Sequence, residues 1–123
     1  MDCLFCKINY EEIPSYTYYE NEYVNCFLDI NPQSKGHTLI VPKKHFKDMQ
    51  DIDNGYLTEV NIACKKIINI LNKTYNPVGI KLVQNNGLLQ DIKHYHLHVV
   101  PYYKKDDTFD IKEVYNELKK NCD

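Results

Sequence analysis

Three histidines occupy alternate positions in the segment His94-Tyr95-His96-Leu97-His98-Val99-Val100-Pro101. The intervening residues are strand formers, which predicts a β-strand closed by Pro101. Side chains two positions apart on a strand point the same way, so the three imidazoles should share one face. Tyr95, Leu97 and Val99 should form the opposite face and pack against a core.

Three explanations fit such a row of imidazoles. One is a polar, solvent-facing strand edge, which is the commonest setting for a single histidine. Another is a metal site, although His94 and His98 would lie about 13 Å apart at Cα, so at most two of the three could share a zinc ion with its ~2 Å bonds. The third is catalysis, because neighbouring imidazoles can supply a nucleophile, proton donors and a positive charge near pH 7. We favour catalysis.

Length and composition limit the function. A chain of 123 residues, 43% of them hydrophobic, suits one domain over 1–123, with a core over about 3–103 and a tail over 104–123. A net charge of −2 argues against a nucleic-acid polymer or an anionic membrane as partner. No apolar run is long enough to span a bilayer and no signal peptide is recognisable, so we expect a cytoplasmic protein. Five scattered cysteines, an odd number, do not suggest a disulfide framework.

The first motif along the chain is Cys3-Leu4-Phe5-Cys6. Two cysteines at this spacing can bind one zinc ion but supply only half of its ligands. Two small buried thiols without a metal or redox role are an equal alternative. The apolar residues Leu4, Phe5, Ile8 and Ile13 follow a loosely helical spacing before Pro14, which predicts a short helix.

Further elements follow from periodicity and turn signals. Strands are predicted over 16–20 and 24–30, joined as a hairpin, and over 36–42 and 79–84, with one long helix from near Asp53 to before Asn76 and a short helix over 111–120. Asp29 follows the second strand, where bonding the turn backbone is favoured over ligand contact. His45 follows the third strand on a loop. The turn Asn85-Asn86-Gly87 and Gln90 should approach the histidines through a hairpin.

The histidine segment resembles the His-φ-His-φ-His-φ-φ signature of the histidine triad (HIT) superfamily, most closely its Hint-like branch. Other stretches are similar to the family's landmarks in the same order: Cys3 to Ile8, Glu12 to Pro14, Phe27 to Pro32, Gly36 to His45, and Asn85 to Gly87. The resemblance covers about residues 3–103.

That resemblance implies an α+β fold with a five-stranded antiparallel sheet, one main helix and short terminal helices, paired as a homodimer through the helix and the fourth strand. It implies hydrolysis or transfer of nucleoside monophosphates joined through phosphoramidate or phosphoanhydride bonds. His96 would attack the α-phosphorus and become a nucleotidyl-histidine. His98 would hold phosphate oxygens, the backbone around His94 would orient the His96 ring, and Asn85 would support the phosphate.

The remaining site residues are carried over from the same resemblance. Asp29 would bind the ribose hydroxyls, which reverses the turn interpretation, and the purine would meet an apolar wall of Leu4, Phe5, Ile8, Ile13 and Ile30. A structural zinc ion would be bound by the two cysteines and two histidines of zinc-bearing bacterial members, here Cys3, Cys6, His45 and His94. No organic cofactor is expected.

One segment departs from the family pattern. The stretch Leu88-Leu89-Gln90-Asp91-Ile92-Lys93 is shorter than usual, keeps Gln90 and has Asp91 where the family has a hydroxyl residue that contacts the leaving group. An anionic Asp91 could repel phosphate oxygens or, when protonated, act as an acid. Leaving-group preference therefore stays open between phosphoramidates and dinucleoside polyphosphates.

Three hypotheses follow for the whole protein. The leading one is a nucleotide hydrolase or transferase acting on a purine nucleotide. A second is a nucleotide-binding or partner-binding protein with little turnover. A third, a purely structural zinc protein, explains the cysteines but leaves His96 and His98 without a role.

Overall fold

A computed structural model describes residues 3–122 of the chain. The helices are α1 (Leu4–Asn9), α2 (Asn54–Tyr75) and α3 (Ile111–Lys120), and the strands are β1 (Thr17–Glu20), β2 (Val24–Leu28), β3 (Thr38–Pro42), β4 (Gly79–Val83) and β5 (Leu97–Tyr102). The strands form one antiparallel sheet in the order β1-β2-β3-β5-β4. This is the five-stranded α+β fold that the family resemblance implies.

The two faces of the sheet carry separate apolar clusters. On one face α2 and α3 pack over the main core, which includes Cys26, Ile40, Val99 and the Leu118 of α3. Helix α3 therefore anchors the predicted tail to the domain. On the other face α1 covers a smaller cluster of Phe5, Ile8, Phe27, Leu39 and Val41. Alternation along β2 and β3 supplies both clusters, because successive side chains point to opposite faces.

Local signals fix the ends of α2 where the sequence places them. The Asp53 carboxylate accepts the N–H of Tyr56 at 2.7 Å and caps the N-terminus. Asn76, with φ of 48°, ends the helix in the left-handed conformation, and its N–H donates to the Asn72 carbonyl. No helix among residues 3–122 is both long and apolar enough to cross a membrane.

The histidine strand differs from its prediction at both ends. It begins at Leu97, so His94 and His96 precede it. The pairing with β3 ends at Ile40 and Leu97, and the N–H of Tyr95 donates to the Phe46 carbonyl and not to a strand. It continues through Pro101, which pairs with Ile80 on β4. The missing N–H of a proline costs nothing there, since β3 pairs with β5 only as far as Val99.

Candidate active site

His96 is held in one orientation by the backbone of the first histidine. Its Nδ1 lies 2.7 Å from the carbonyl oxygen of His94, and its side chain is 2% exposed. A carbonyl can only accept, so Nδ1 carries the proton and donates it. In the neutral ring the lone pair is then on Nε2, which leaves this nitrogen able to act as a nucleophile.

His98 is held by His37, for which the sequence pattern indicates no role. The N–H of Gln33 donates to Nδ1 of His37 at 3.0 Å, so the neutral His37 ring carries its proton on Nε2. That Nε2 lies 3.0 Å from Nδ1 of His98 and donates to it, so Nε2 of His98 carries a proton. Burial lowers the pKa of His37 and lowers the pKa of His98 to about 4, which agrees with neutral rings.

His37 reaches this position because a glycine precedes it. Gly36 has φ of 90°, in the left-handed region, and a Cβ there would lie 2.8 Å from Cδ2 of Leu71. The signal that could have indicated a role for His37 is its position directly after Gly36 and just before β3. Its contact with His98, 61 positions away, is set only by the pairing of β3 with β5.

A pocket of about 200 Å³ lies beside these rings, on the α1 face of the sheet. All five predicted wall residues line it, and so do Asp29, Asp91, His96 and His98. Its other lining residues were not predicted: Pro14, Ser15, Tyr16, Phe27, Leu28, Asn31, Leu39 and Ile92. The Phe5 ring meets the His96 ring edge-on, with centroids 4.9 Å apart, and so joins the wall to the histidine.

The two carboxylates of the pocket have different surroundings. Asp29 accepts the N–H of Asn31 at 2.9 Å, the turn role first favoured for it, while its Oδ2 lies 3.6 Å from Nε2 of His37. Asp91 has its Oδ1 3.5 Å from Nε2 of His96 and is 76% exposed. Both side chains are therefore available to a ligand.

Asn85 and Gln90 are not among the described residues that line the pocket. The Gln90 side chain is 6% exposed and donates to the Lys47 carbonyl at 2.7 Å, with its Oε1 buried without a protein partner. The Asn85 carbonyl accepts from the Gln84 amide. A larger groove, of about 320 Å³ and lined by residues such as Lys35 and Tyr103, contains no histidine or cysteine.

Cys3, Cys6, His45 and His94 converge although they are far apart in sequence. Their possible ligand atoms all lie within 4.8 Å of one another. Nδ1 of His94 lies 3.4 Å from Sγ of Cys3 and 3.6 Å from Sγ of Cys6, and Nδ1 of His45 lies 3.3 Å from Sγ of Cys6. Tetrahedral zinc places sulfur and nitrogen ligands about 3.6 Å apart, so the spacing fits one zinc ion.

The protonation of this cluster also suits a cation. Nε2 of His94 lies 2.9 Å from the Pro42 carbonyl and must donate to it, which leaves the Nδ1 lone pair facing the cysteines. Burial lowers the pKa of His94 to about 4, so the ring is neutral. Burial and the neighbouring Cys3 raise the pKa of Cys6 to about 11, and a bound metal would be needed to hold its thiolate at neutral pH.

Asp29, His37 and His98 also have possible ligand atoms within 4.8 Å of one another. Their closeness is explained without a metal, because the two rings are hydrogen-bonded to each other and Gln33 occupies the remaining nitrogen of His37. We assign this group to ring orientation.

The fold and the site together define a class: small α+β domains that carry alternating histidines next to an apolar pocket. A family model described as the HIT domain matches residues 10–105. An uncharacterised HIT-like protein of Methanocaldococcus jannaschii is 39% identical, over 95% of this chain and 98% of that protein. The chain belongs to the HIT family.

Two further relatives carry more specific descriptions. An adenosine 5'-monophosphoramidase of Saccharomyces cerevisiae is 39% identical, over 85% of this chain and 64% of that protein. A zinc-bound histidine triad family protein of Mycobacterium smegmatis has a crystal structure that superposes with a TM-score of 0.91, at 28% identity over 99% of this chain and 94% of that one.

Proposed function

We propose that the protein is a nucleotide hydrolase or transferase that cleaves a phosphoramidate or phosphoanhydride bond at the α-phosphorus of a purine nucleoside monophosphate derivative. One observation carries the proposal. The hydrogen bond to the His94 carbonyl holds the proton of His96 on Nδ1, so the lone pair is on Nε2. Because His96 also lines the pocket, a nucleophilic nitrogen is available to a bound ligand. Family membership and the phosphoramidase activity named for the yeast relative support nucleotide hydrolysis in general.

The reaction has two balanced steps. In the first, Nε2 of His96 bonds to the α-phosphorus, and the bond from phosphorus to the leaving group breaks. The leaving atom keeps the electron pair and takes up a proton, which gives an amine from a phosphoramidate. In the second, a water oxygen bonds to phosphorus while the bond to Nε2 breaks; the lone pair returns to the ring, and the water gives up a proton.

The neighbouring residues bind and orient. The N–H on Nε2 of His98 donates to phosphate oxygens, where negative charge grows during attack. Asp29 accepts from the ribose hydroxyls, and Leu4, Phe5, Ile8, Ile13 and Ile30 pack against the purine. Support of the phosphate by Asn85 and nucleotide contact by Gln90 stay predictions.

The test is hydrolysis of adenosine 5'-phosphoramidate and of diadenosine polyphosphates by the wild type and by His96→Ala, with a search for an acid-labile nucleotidyl adduct. We expect turnover and adduct in the wild type and a loss of at least a thousandfold in the variant, because no other group replaces the nucleophile. His37→Ala is the matched control, since it removes a buried histidine of the same site but should still form the adduct. Nucleotide binding without turnover in the wild type would favour the binding-protein hypothesis.

A structural zinc ion is part of the proposal. Cys3, Cys6, His45 and His94 would hold it and so tie the start of α1 to the loop after β3 and to the segment before β5. Zinc would contribute folding free energy there rather than a step of the reaction. The zinc-bound relative supports this assignment.

We also propose a homodimer, formed through α2 and β4. β4 is an edge strand of the sheet, and Ile62, Val78 and Leu82 expose large apolar side chains on or next to these two elements. Sedimentation equilibrium should give twice the chain mass for the wild type, and Leu82→Lys should shift it toward the monomer. A cytoplasmic location stays a prediction.

A further inference from the structure

Asp91 places a negative charge next to the reactive nitrogen. Its Oδ1 lies 3.5 Å from Nε2 of His96, and the same oxygen accepts the N–H of Ile92 at 2.9 Å, which orients the carboxylate. The side chain lines the pocket and is exposed. A group that occupies the pocket in front of Nε2 is therefore close to a carboxylate.

The rest of the pocket does not offset this charge. Among the described residues that line it, the charged ones are the two carboxylates Asp29 and Asp91, and neither lysine nor arginine is present. Lys93, the cation nearest to Asp91 in sequence, donates to the Gly87 carbonyl in the preceding loop. Sites that bind several phosphates usually provide arginine or lysine for their oxygens.

We propose that Asp91 makes the site select phosphoramidates whose leaving group is an amine carrying a further positive charge, and disfavour anionic leaving groups such as polyphosphates. The inference rests on the function proposed above and names its substrate class. Asp91 attracts the distant cation of the leaving group and takes no part in the bonds that form and break. Because the carboxylate is solvated, we expect about a fivefold effect on kcat/KM for each unit of leaving-group charge.

The experiment compares three substrates of similar size in which adenosine monophosphate is joined to one nitrogen of ethylenediamine, ethanolamine or glycine. The distal groups are then an ammonium, a hydroxyl and a carboxylate. For the wild type we expect kcat/KM to fall in that order, and the differences to shrink when the salt concentration is raised. The ratios between substrates are the readout, so a general loss of activity in a variant does not affect the comparison.

Asp91→Asn keeps the shape of the side chain and removes its charge, so we expect the three kcat/KM values to come within about twofold of one another. Asp91→Ser serves as a second variant if the first does not fold. Glu59→Gln removes the same charge from α2, on the opposite face of the sheet, and should keep the wild-type ratios.

Equal kcat/KM for the three substrates in the wild type, or the wild-type order retained in Asp91→Asn, would overturn the inference while leaving the nucleotide hydrolase intact. If the proposed function itself is wrong, none of the three substrates is turned over and no adduct forms on His96. That result would overturn the inference together with the proposed function.

Discussion

The carbonyl oxygen of His94 and Nδ1 of His96 are 2.7 Å apart, while the His94 ring faces the sulfur atoms of Cys3 and Cys6. One residue thus contributes its side chain to the cysteine cluster and its backbone to the orientation of the His96 ring. Any change that moves the His94 backbone should alter both sites together.

Replacement of His94 tests the link between the two sites. His94→Ala keeps the carbonyl but removes a proposed zinc ligand and a fully buried ring, so we expect loss of zinc, about 3 kcal/mol less stability and lower kcat. His94→Cys supplies another zinc donor and should recover most of the zinc and part of the stability. Zinc per chain and thermal unfolding are the measurements. An alanine variant with normal zinc content would contradict the assignment.

His37 should act through His98 and not on the substrate. We expect His37→Ala to lower kcat by about tenfold to a hundredfold and to change KM little, because the proton on Nε2 of His98 is no longer fixed. His37→Gln can still donate to Nδ1 of His98 and should recover part of the loss. Steady-state kinetics across pH measure this. A rise in KM alone, with kcat unchanged, would point to a role in substrate binding.

The buried His37 and the half-buried His98 predict a stability that depends on pH. An unfolded histidine has a pKa near 6.5, whereas burial lowers the pKa of His98 to about 4 and also lowers that of His37. Between these values the unfolded chain binds more protons than the folded chain. The contribution of these histidines to the free energy of unfolding is therefore fully present above about pH 6.5 and is lost as the pH falls toward 4. Urea midpoints across this range should show the loss.

The comparison variant for this measurement is His98→Gln, which cannot titrate. Its stability should decline less steeply with falling pH over the same range. Identical slopes for the wild type and the variant would mean that other groups, such as the cysteine cluster, dominate acid unfolding.

Phe5 lies between the apolar wall proposed for the purine and the His96 ring. Its ring packs edge-on against His96 and, at 5.7 Å between centroids, against Phe27. Phe5→Ala should cost about 3 kcal/mol of stability and weaken nucleotide binding, while Phe5→Leu should lose about 1 kcal/mol. Chemical unfolding and titration with adenosine monophosphate are the measurements. Unchanged affinity in the folded alanine variant would place the purine elsewhere.

Features that depend on neighbouring residues could be predicted from the sequence. The ends of α2 follow from Asp53 and Asn76, which cap it locally, and α3 lies over the predicted residues 111–120. The strand starts were less accurate, since Leu97 begins β5 only because Ile40 is its last partner on β3. Pairing between distant strands has no local signal.

The residues of the site also fall into those that the sequence indicates and those that depend on long-range contacts. The alternating histidines and the spacing of Cys3 and Cys6 indicate chemistry by themselves. The family resemblance adds His45 and His94 as partners of the cysteines and the apolar wall, and the structure brings these residues together. His37 was left without a role because its function arises from contact with His98. The positions of Asn85 and Gln90 depend on the loop between β4 and β5, whose path no periodicity describes.

The small apolar cluster under α1 has a consequence for local dynamics. A helix of six residues cannot persist alone in water, and α1 is held by Phe5, Ile8 and the cysteine cluster at its first turn. Amide hydrogen exchange in Leu4–Asn9 should therefore be faster than in α2 and should accelerate most when metal is removed. The apolar wall proposed for the purine includes Phe5 and Ile8 of this helix and would open with it, so the supply of zinc would set nucleotide affinity.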